Sequence, residues 1–175
     1  DFIRRELKAH HRKVPAEKVT LIPGAVDLER FRPEKPDRAR FGIGPGPLVL
    51  TVRRLVERMG IDLLIRAAAE VPGLQLLIGG EGPQRPELEA LAASLQVPAR
   101  FLGFIDDQDL PSLYRAADLF VLPTRELEGF GLVAIEAMAC GTPAMGTPVG
   151  AIPEVLGPLG LVFEEPTAPA IAAGI

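Results

Sequence analysis

A chain of 175 residues, 47% hydrophobic and 24% charged, has the size and balance of one globular unit with a buried core, which excludes intrinsic disorder. Its formal net charge of −4 argues against a nucleic-acid partner, because such binding rests on excess Lys and Arg to neutralise phosphates. Cys140 is the single cysteine, so no intrachain disulfide forms, and with His10 and His11 far from it in sequence no zinc-ligand pattern appears.

The chain opens on a basic amphipathic stretch in which Phe2, Ile3 and Leu7 sit among Arg4, Arg5, Lys8, Arg12 and Lys13. Residues 1–15 read as a helix leading in from a preceding domain, and residues 16–175 as the domain proper, with the boundary near residues 14–18. A start without Met and a stop in mid-pattern at Ile175 fit a piece of a longer protein. Short apolar runs then alternate with helical stretches. Residues 19–22, 48–52, 74–78, 100–104, 119–122, 143–145 and 161–163 read as strands, several too continuously apolar to have a wet face. Between them, residues 61–71, 86–95, 110–116 and 131–139 carry helical periodicity, with Pro86 suited to a first turn and Asp109 to an N-cap. The Gly/Pro cluster at residues 42–47 reads as a connection.

This alternation predicts an α/β fold: a Rossmann-like, three-layer domain with a mostly parallel sheet covered by helices on both faces. Ligands bind such sheets at the carboxyl ends of the strands, which directs attention to the loops at residues 53–60, 79–83, 103–109 and 123–131. No apolar run reaches the roughly eighteen residues that span a bilayer, and a lone cysteine suits a cytoplasmic home.

Glu128 and Glu136 have seven residues between them, a spacing that chance supplies roughly once in a chain of this length. Their context gives it meaning. Glu128 closes a loop after a strand, Gly129 and Gly131 bracket Phe130, and a helix-forming run begins at once with Leu132. Backbone N–H groups at a helix start lack intrahelical partners and carry partial positive charge, so they bind phosphate or sugar oxygens. Glu136 falls about five residues into the helix, roughly 7–8 Å from its first turn, which is nucleoside distance. A carboxylate there can accept both ribose hydroxyls while a diphosphate rests on the helix start. Glu128 is placed to meet a sugar beyond the phosphates. Positive charge for the phosphates comes from residues 53–60, where Arg54 is the first choice and Arg53 and Arg58 are alternatives that suit a solvated surface equally well. The loop Gly79-Gly80-Glu81-Gly82-Pro83 would allow close approach of a ligand.

These residues carry a resemblance. The chain looks like the C-terminal domain of the glycosyltransferase family 4 enzymes, also called group 1, which have the GT-B architecture of two facing Rossmann-like domains. The motifs follow the family's order between residues 19 and 163. Ile22-Pro23-Gly24-Ala25-Val26-Asp27 resembles its "IPNGVD" turn, Arg54-Leu55-Val56 its "GRL", and Phe101-Leu102-Gly103 its "FLG". Ala117-Asp118-Leu119-Phe120-Val121-Leu122-Pro123 resembles "ADvfvlPS", and Gly141-Thr142-Pro143 and Ile152-Pro153-Glu154-Val155 resemble its "GTP" and "IPEV" segments.

The resemblance implies a retaining, hexosyltransferase-like glycosyltransferase that needs no metal or other cofactor and takes a UDP-, GDP- or ADP-sugar as donor. It assigns Glu128 to the donor sugar and Arg54 to phosphate, the two being the catalytic pair. Glu136 goes to the ribose, the amides of Gly129, Phe130, Gly131 and Leu132 to sugar and diphosphate, and the backbone of Gly103 and Ile105 to the nucleobase. The family's second phosphate-binding cation, a lysine, is replaced here by Met59, with Arg58 as the substitute. The acceptor site belongs to an N-terminal domain that this chain lacks, so the fragment alone is expected to be inactive. Contact with the inner face of a membrane, where acceptors are lipids, would also reside there.

Two other readings remain at this level. One is a non-catalytic nucleotide-binding module of the same fold, motivated by Met59. The other is a nicotinamide-cofactor domain, disfavoured because Gly80-Glu81-Gly82 lacks the third glycine of a dinucleotide fingerprint. Asp107-Gln108-Asp109 has the form of a metal-binding pair but sits where acidic residues favour a helix start.

Overall fold

Six strands form one parallel sheet in the computed structural model, which describes residues 2–11 and 15–175. Arg12, Lys13 and Val14, part of the basic opening and the expected boundary, lie outside the described residues. In chain order the elements are α1 (Phe2–His10), β1 (Leu48–Val52), α2 (Ile61–Ala69), β2 (Gln75–Gly79), α3 (Arg85–Ser94), β3 (Ala99–Gly103), α4 (Leu110–Ala116), β4 (Leu119–Leu122), α5 (Leu132–Ala139), β5 (Ala144–Gly146), α6 (Ile152–Leu156), β6 (Leu161–Val162) and α7 (Ala168–Gly174). The strand order is β3-β2-β1-β4-β5-β6, all neighbours being parallel.

Apolar runs without alternation become the interior strands. In β1, Leu48 and Leu50 point into one core layer with Tyr114, Phe120, Ala134 and Ile152, while Val49 points into the other with Leu64, Ile65, Leu76 and Ile78. Helices α4, α5 and α6 cover the first face, and α2, α3 and α7 the second. Helix α2 shows how periodicity is used: Ile61, Leu64, Ile65 and Ala68 recur on its buried side and Asp62 and Arg66 fall outside it. Each fully buried Leu or Ile contributes about 1.5–3 kcal/mol relative to exposure. Pro86 and Pro111 sit in the first turns of α3 and α4, where a missing N–H does no harm.

Two expectations are corrected, and two helices are added. Residues 19–22 form no strand: Ile22 is 83% exposed, and the run leads into Pro23 beside α1 instead of pairing with the sheet. Asp109 occupies the N-cap position of α4 without capping it, because its carboxylate is drawn to Arg40. Helices α6 and α7 were not foreseen, being short and started by Pro153 and Pro169 in runs with little periodicity. Among the described residues, no helix is long and apolar enough to cross a membrane.

Candidate functional site

The sheet reverses direction of winding between β1, whose partner on one side is β2, and β4, which leads to β5 and β6. At such a switch point the loops leaving adjacent strands diverge and open a crevice at their carboxyl ends. Here the two loops are residues 53–60 after β1 and 123–131 after β4. They are tied together: the N–H groups of Arg125 and Glu126 donate to the Arg58 carbonyl at 2.9 and 3.3 Å, and Arg58 Nη1 donates to the Leu127 carbonyl at 2.9 Å. Gly60 permits the contact. Its φ is 66°, and a Cβ there would collide with the Pro123 carbonyl oxygen.

Glu128 ends the second loop, buried and ion-paired with Arg53, whose side chain is 6% exposed. The other carboxylate oxygen faces the Phe130 N–H at 3.4 Å. The Glu128 carbonyl accepts from the Ala151 N–H at 3.0 Å, so the segment before α6 braces the loop. Helix α5 then starts from Gly131, in the left-handed region at φ 85°, and among the described residues no side chain caps its first turn. An uncapped helix start, an arginine and a carboxylate therefore share one corner. The carboxylate itself meets the arginine and the Phe130 N–H, just ahead of the helix.

Five residues along α5, Glu136 accepts a 2.8 Å hydrogen bond from the hydroxyl of Tyr114 on α4. Tyr114 is fully buried, and Thr142 Oγ1 donates to its carbonyl at 2.7 Å. Burial, and then the negative charge of Glu136, push the phenol well above its ordinary range, so Tyr114 remains a proton donor to the carboxylate. One Glu136 oxygen is thereby anchored from below. The other is free of that anchor and suited to vicinal hydroxyls.

Arg54 is exposed, while Arg53 beside it turns inward. Arg58 is half-buried and engaged with Leu127, and Met59 is buried. Gly103 ends β3 with φ 70°, its carbonyl accepting from the Gly80 N–H at 2.7 Å, and Ile105 packs against Gly79. The glycines of the 79–83 loop serve the protein's own backbone: Gly80 and Gly82 lie against the carbonyls of Arg53 and Leu55, and the Leu55 N–H donates to the Glu81 carbonyl at 2.9 Å. Asp107 and Asp109 are engaged by Arg30 and Arg40. Burial raises the Cys140 thiol, which keeps it protonated and inert. Among the described residues no group of three or more His, Cys, Asp or Glu could hold a metal ion.

The structure thus brings Glu128, Gly129, Phe130, Gly131, Leu132 and Glu136 onto one loop and helix, with Arg54 and Arg58 on the facing loop and Gly103 and Ile105 at the end of β3. Sequence reasoning missed Tyr114, and it ranked Arg54 before Arg53 without foreseeing that Arg53 pairs with Glu128. The only signal for Tyr114 was its being the single tyrosine of the chain.

The family model described as "Glycosyl transferases group 1" matches residues 34–175. A GDP-mannose-dependent alpha-(1-6)-phosphatidylinositol monomannoside mannosyltransferase of Mycolicibacterium smegmatis is 35% identical, over 92% of this chain and 47% of that protein. A D-inositol 3-phosphate glycosyltransferase of Rhodococcus erythropolis is 41% identical, over 84% of this chain and 37% of that protein. Among solved structures, sucrose-phosphate synthase from Thermosynechococcus elongatus superimposes with a TM-score of 0.89 at 35% identity, covering 98% of this chain and 45% of that one. Anabaena Alr3699/HepE in complex with UDP and glucose superimposes with a TM-score of 0.83 at 25% identity, covering 91% of this chain and 46% of that one. The chain spans less than half the length of these relatives.

Proposed function

Because this chain belongs to the group 1 glycosyl transferases and has their Rossmann-like α/β fold, we propose that it is the donor-binding half of a retaining glycosyltransferase. It holds a nucleoside-diphosphate sugar, and the rest of a longer protein supplies the acceptor site and closes the crevice. The observation that carries this reading is the pairing of an uncapped α5 start with Glu136, fixed by Tyr114, one and a half turns further on. Few ligands other than a nucleotide present an anion and a pair of hydroxyls at that separation.

In this reading the diphosphate rests on the amides from Gly129 to Leu132 and draws Arg54, with Arg58 held at the loop behind it. Glu136 takes the ribose, Glu128 the transferred hexose, and the backbone at Gly103 and Ile105 the base. The relatives supply the donor class: GDP-mannose in the name of the mycobacterial protein, UDP and glucose in the Anabaena complex. In the transfer, the bond from the anomeric carbon to the diphosphate oxygen breaks, a bond to the acceptor oxygen forms on the same face, and the acceptor proton passes to the departing phosphate. Arginine and helix-start N–H groups carry the charge that develops on the diphosphate, so no metal is called for.

Isothermal titration with nucleoside diphosphates and their sugars separates the roles. Glu136→Ala is expected to weaken the nucleotide alone by roughly tenfold or more, as loss of a charge-assisted hydrogen bond does. Glu128→Ala is expected to matter only when the sugar is present. Equal effects of both variants on both ligands would reject the assignment. Met59, buried where the family resemblance places a cation, motivates a second reading as a module that binds without transfer. Incubating the protein with donor and candidate acceptors distinguishes them, since a module yields no glycoside.

A further inference from the structure

Arg53 follows the last residue of β1, and its side chain faces the same side of the sheet as Val49 and Thr51. Its Nη2 pairs with the Glu128 carboxylate, lies 2.7 Å from Met59 Sδ and 3.4 Å from Thr124 Oγ1. Its Nε is buried with no partner among the described residues. A guanidinium stays charged at any accessible pH and is costly to bury unless its hydrogen-bonding groups are met. Packing does not account for this one, since a methionine or leucine would cover the same surface without a desolvation cost. What the charge does supply is a fixed partner for Glu128, at the corner where the α5 start and the two loops meet.

We propose that Arg53 is the positioning residue of the sugar subsite. It holds the Glu128 carboxylate in place beside the Phe130 N–H, and so sets the discrimination between a nucleotide sugar and the bare nucleotide. The neighbour at Met59 is part of the device. Its thioether is neutral, leaving Glu128 as the one charged group on that nitrogen among the described residues, whereas a cation at 59 would stand against a buried guanidinium. The charge can therefore sit on the strand end or on the loop, but not on both. This inference rests on the reading of Glu128 as the sugar ligand given above.

The experiment is isothermal titration of the unaltered protein with GDP against GDP-mannose and UDP against UDP-glucose, repeated on variants with the pair that binds. Arg53→Met is expected to lose roughly tenfold of the preference for the sugar form and to leave the bare nucleotide nearly unchanged. Glu128→Gln should lose the same preference, and the double variant no more than either, because residues acting through one another are not additive. Arg53→Met combined with Met59→Lys carries the charge back to Glu128 from the loop. It is expected to regain most of the preference, a result that simple loss of packing would not give. Additive effects of Arg53→Met and Glu128→Gln would overturn the proposal, as would equal losses with both ligands or a failure of the folded charge-transposed variant to select the sugar form. If Glu128→Gln loses the preference and Arg53→Met keeps it, this inference fails while the reading of Glu128 stands. If the unaltered protein shows no preference for either sugar form, both fail.

Discussion

At the scale of single residues, the hydroxyl of Tyr114 holds the carboxylate of Glu136, the proposed ribose ligand. Tyr114→Phe removes one 2.8 Å hydrogen bond and leaves the ring packed between Phe31 and Phe120. A hydrogen bond to a charged group typically contributes about 1.5–3 kcal/mol to stability, so the melting temperature should fall modestly, and nucleotide affinity should fall several-fold as Glu136 loses its anchor. Titration calorimetry and a melting curve check it; an unchanged affinity would show that Glu136 needs no anchor. Both glutamates were legible in the sequence because glycines and a helix-forming run surround them. Arg53 was not. β1 is buried on both faces, so the parity that turns residue 53 inward has no polar alternation to announce it, and two adjacent arginines look alike until the neighbouring strands are in place. Tyr114 was missed because its partner is 22 residues away on another helix, and no local pattern reports such a pairing.

At the scale of elements, the crevice depends on two loops that touch backbone to backbone at Gly60 and Pro123. Gly60→Ala places a methyl group against the Pro123 carbonyl and a non-glycine residue at φ 66°. Left-handed backbone costs roughly 1–2 kcal/mol, and overpacking roughly 1–3 kcal/mol more. Urea unfolding should therefore show a loss of at least about 2 kcal/mol, with donor binding weakened further because the loop after β4 is pushed away. A variant as stable as the parent would mean that the loops do not rely on this contact. The interior strands and helices α2, α3, α4 and α5 were readable from apolar runs and periodicity, since burial on both faces leaves little else those segments can be. Residues 19–22 were not, because an apolar run before a proline looks the same whether it pairs in a sheet or lies beside α1. There Leu21 and Ile22 join Phe2, Ile3 and Phe130 around a cavity of about 490 Å³ behind the site loop.

At the scale of the whole molecule, the proposed reading has arginines and the start of α5 meet the charge of a diphosphate, while Asp107 and Asp109 are already engaged by Arg30 and Arg40. Affinity for a nucleoside diphosphate should accordingly be the same, within about twofold, in EDTA and in millimolar magnesium, and should fall with added salt as screened charge contacts do. A magnesium requirement seen by calorimetry would move the phosphate site elsewhere. The parallel sheet was implied by the alternation of elements, but the strand order, with its switch point between β1 and β4, was not, because it is fixed by pairings between distant segments. The most direct test is to follow backbone amide NMR shifts while GDP or UDP is added. Perturbations should centre on Gly129 to Val133 and on Glu136 in α5, with a second group at Arg53 to Leu55. Shifts confined to Leu21, Ile22 and Val155 around the apolar cavity, with the start of α5 unmoved, would contradict a nucleotide site at the crevice.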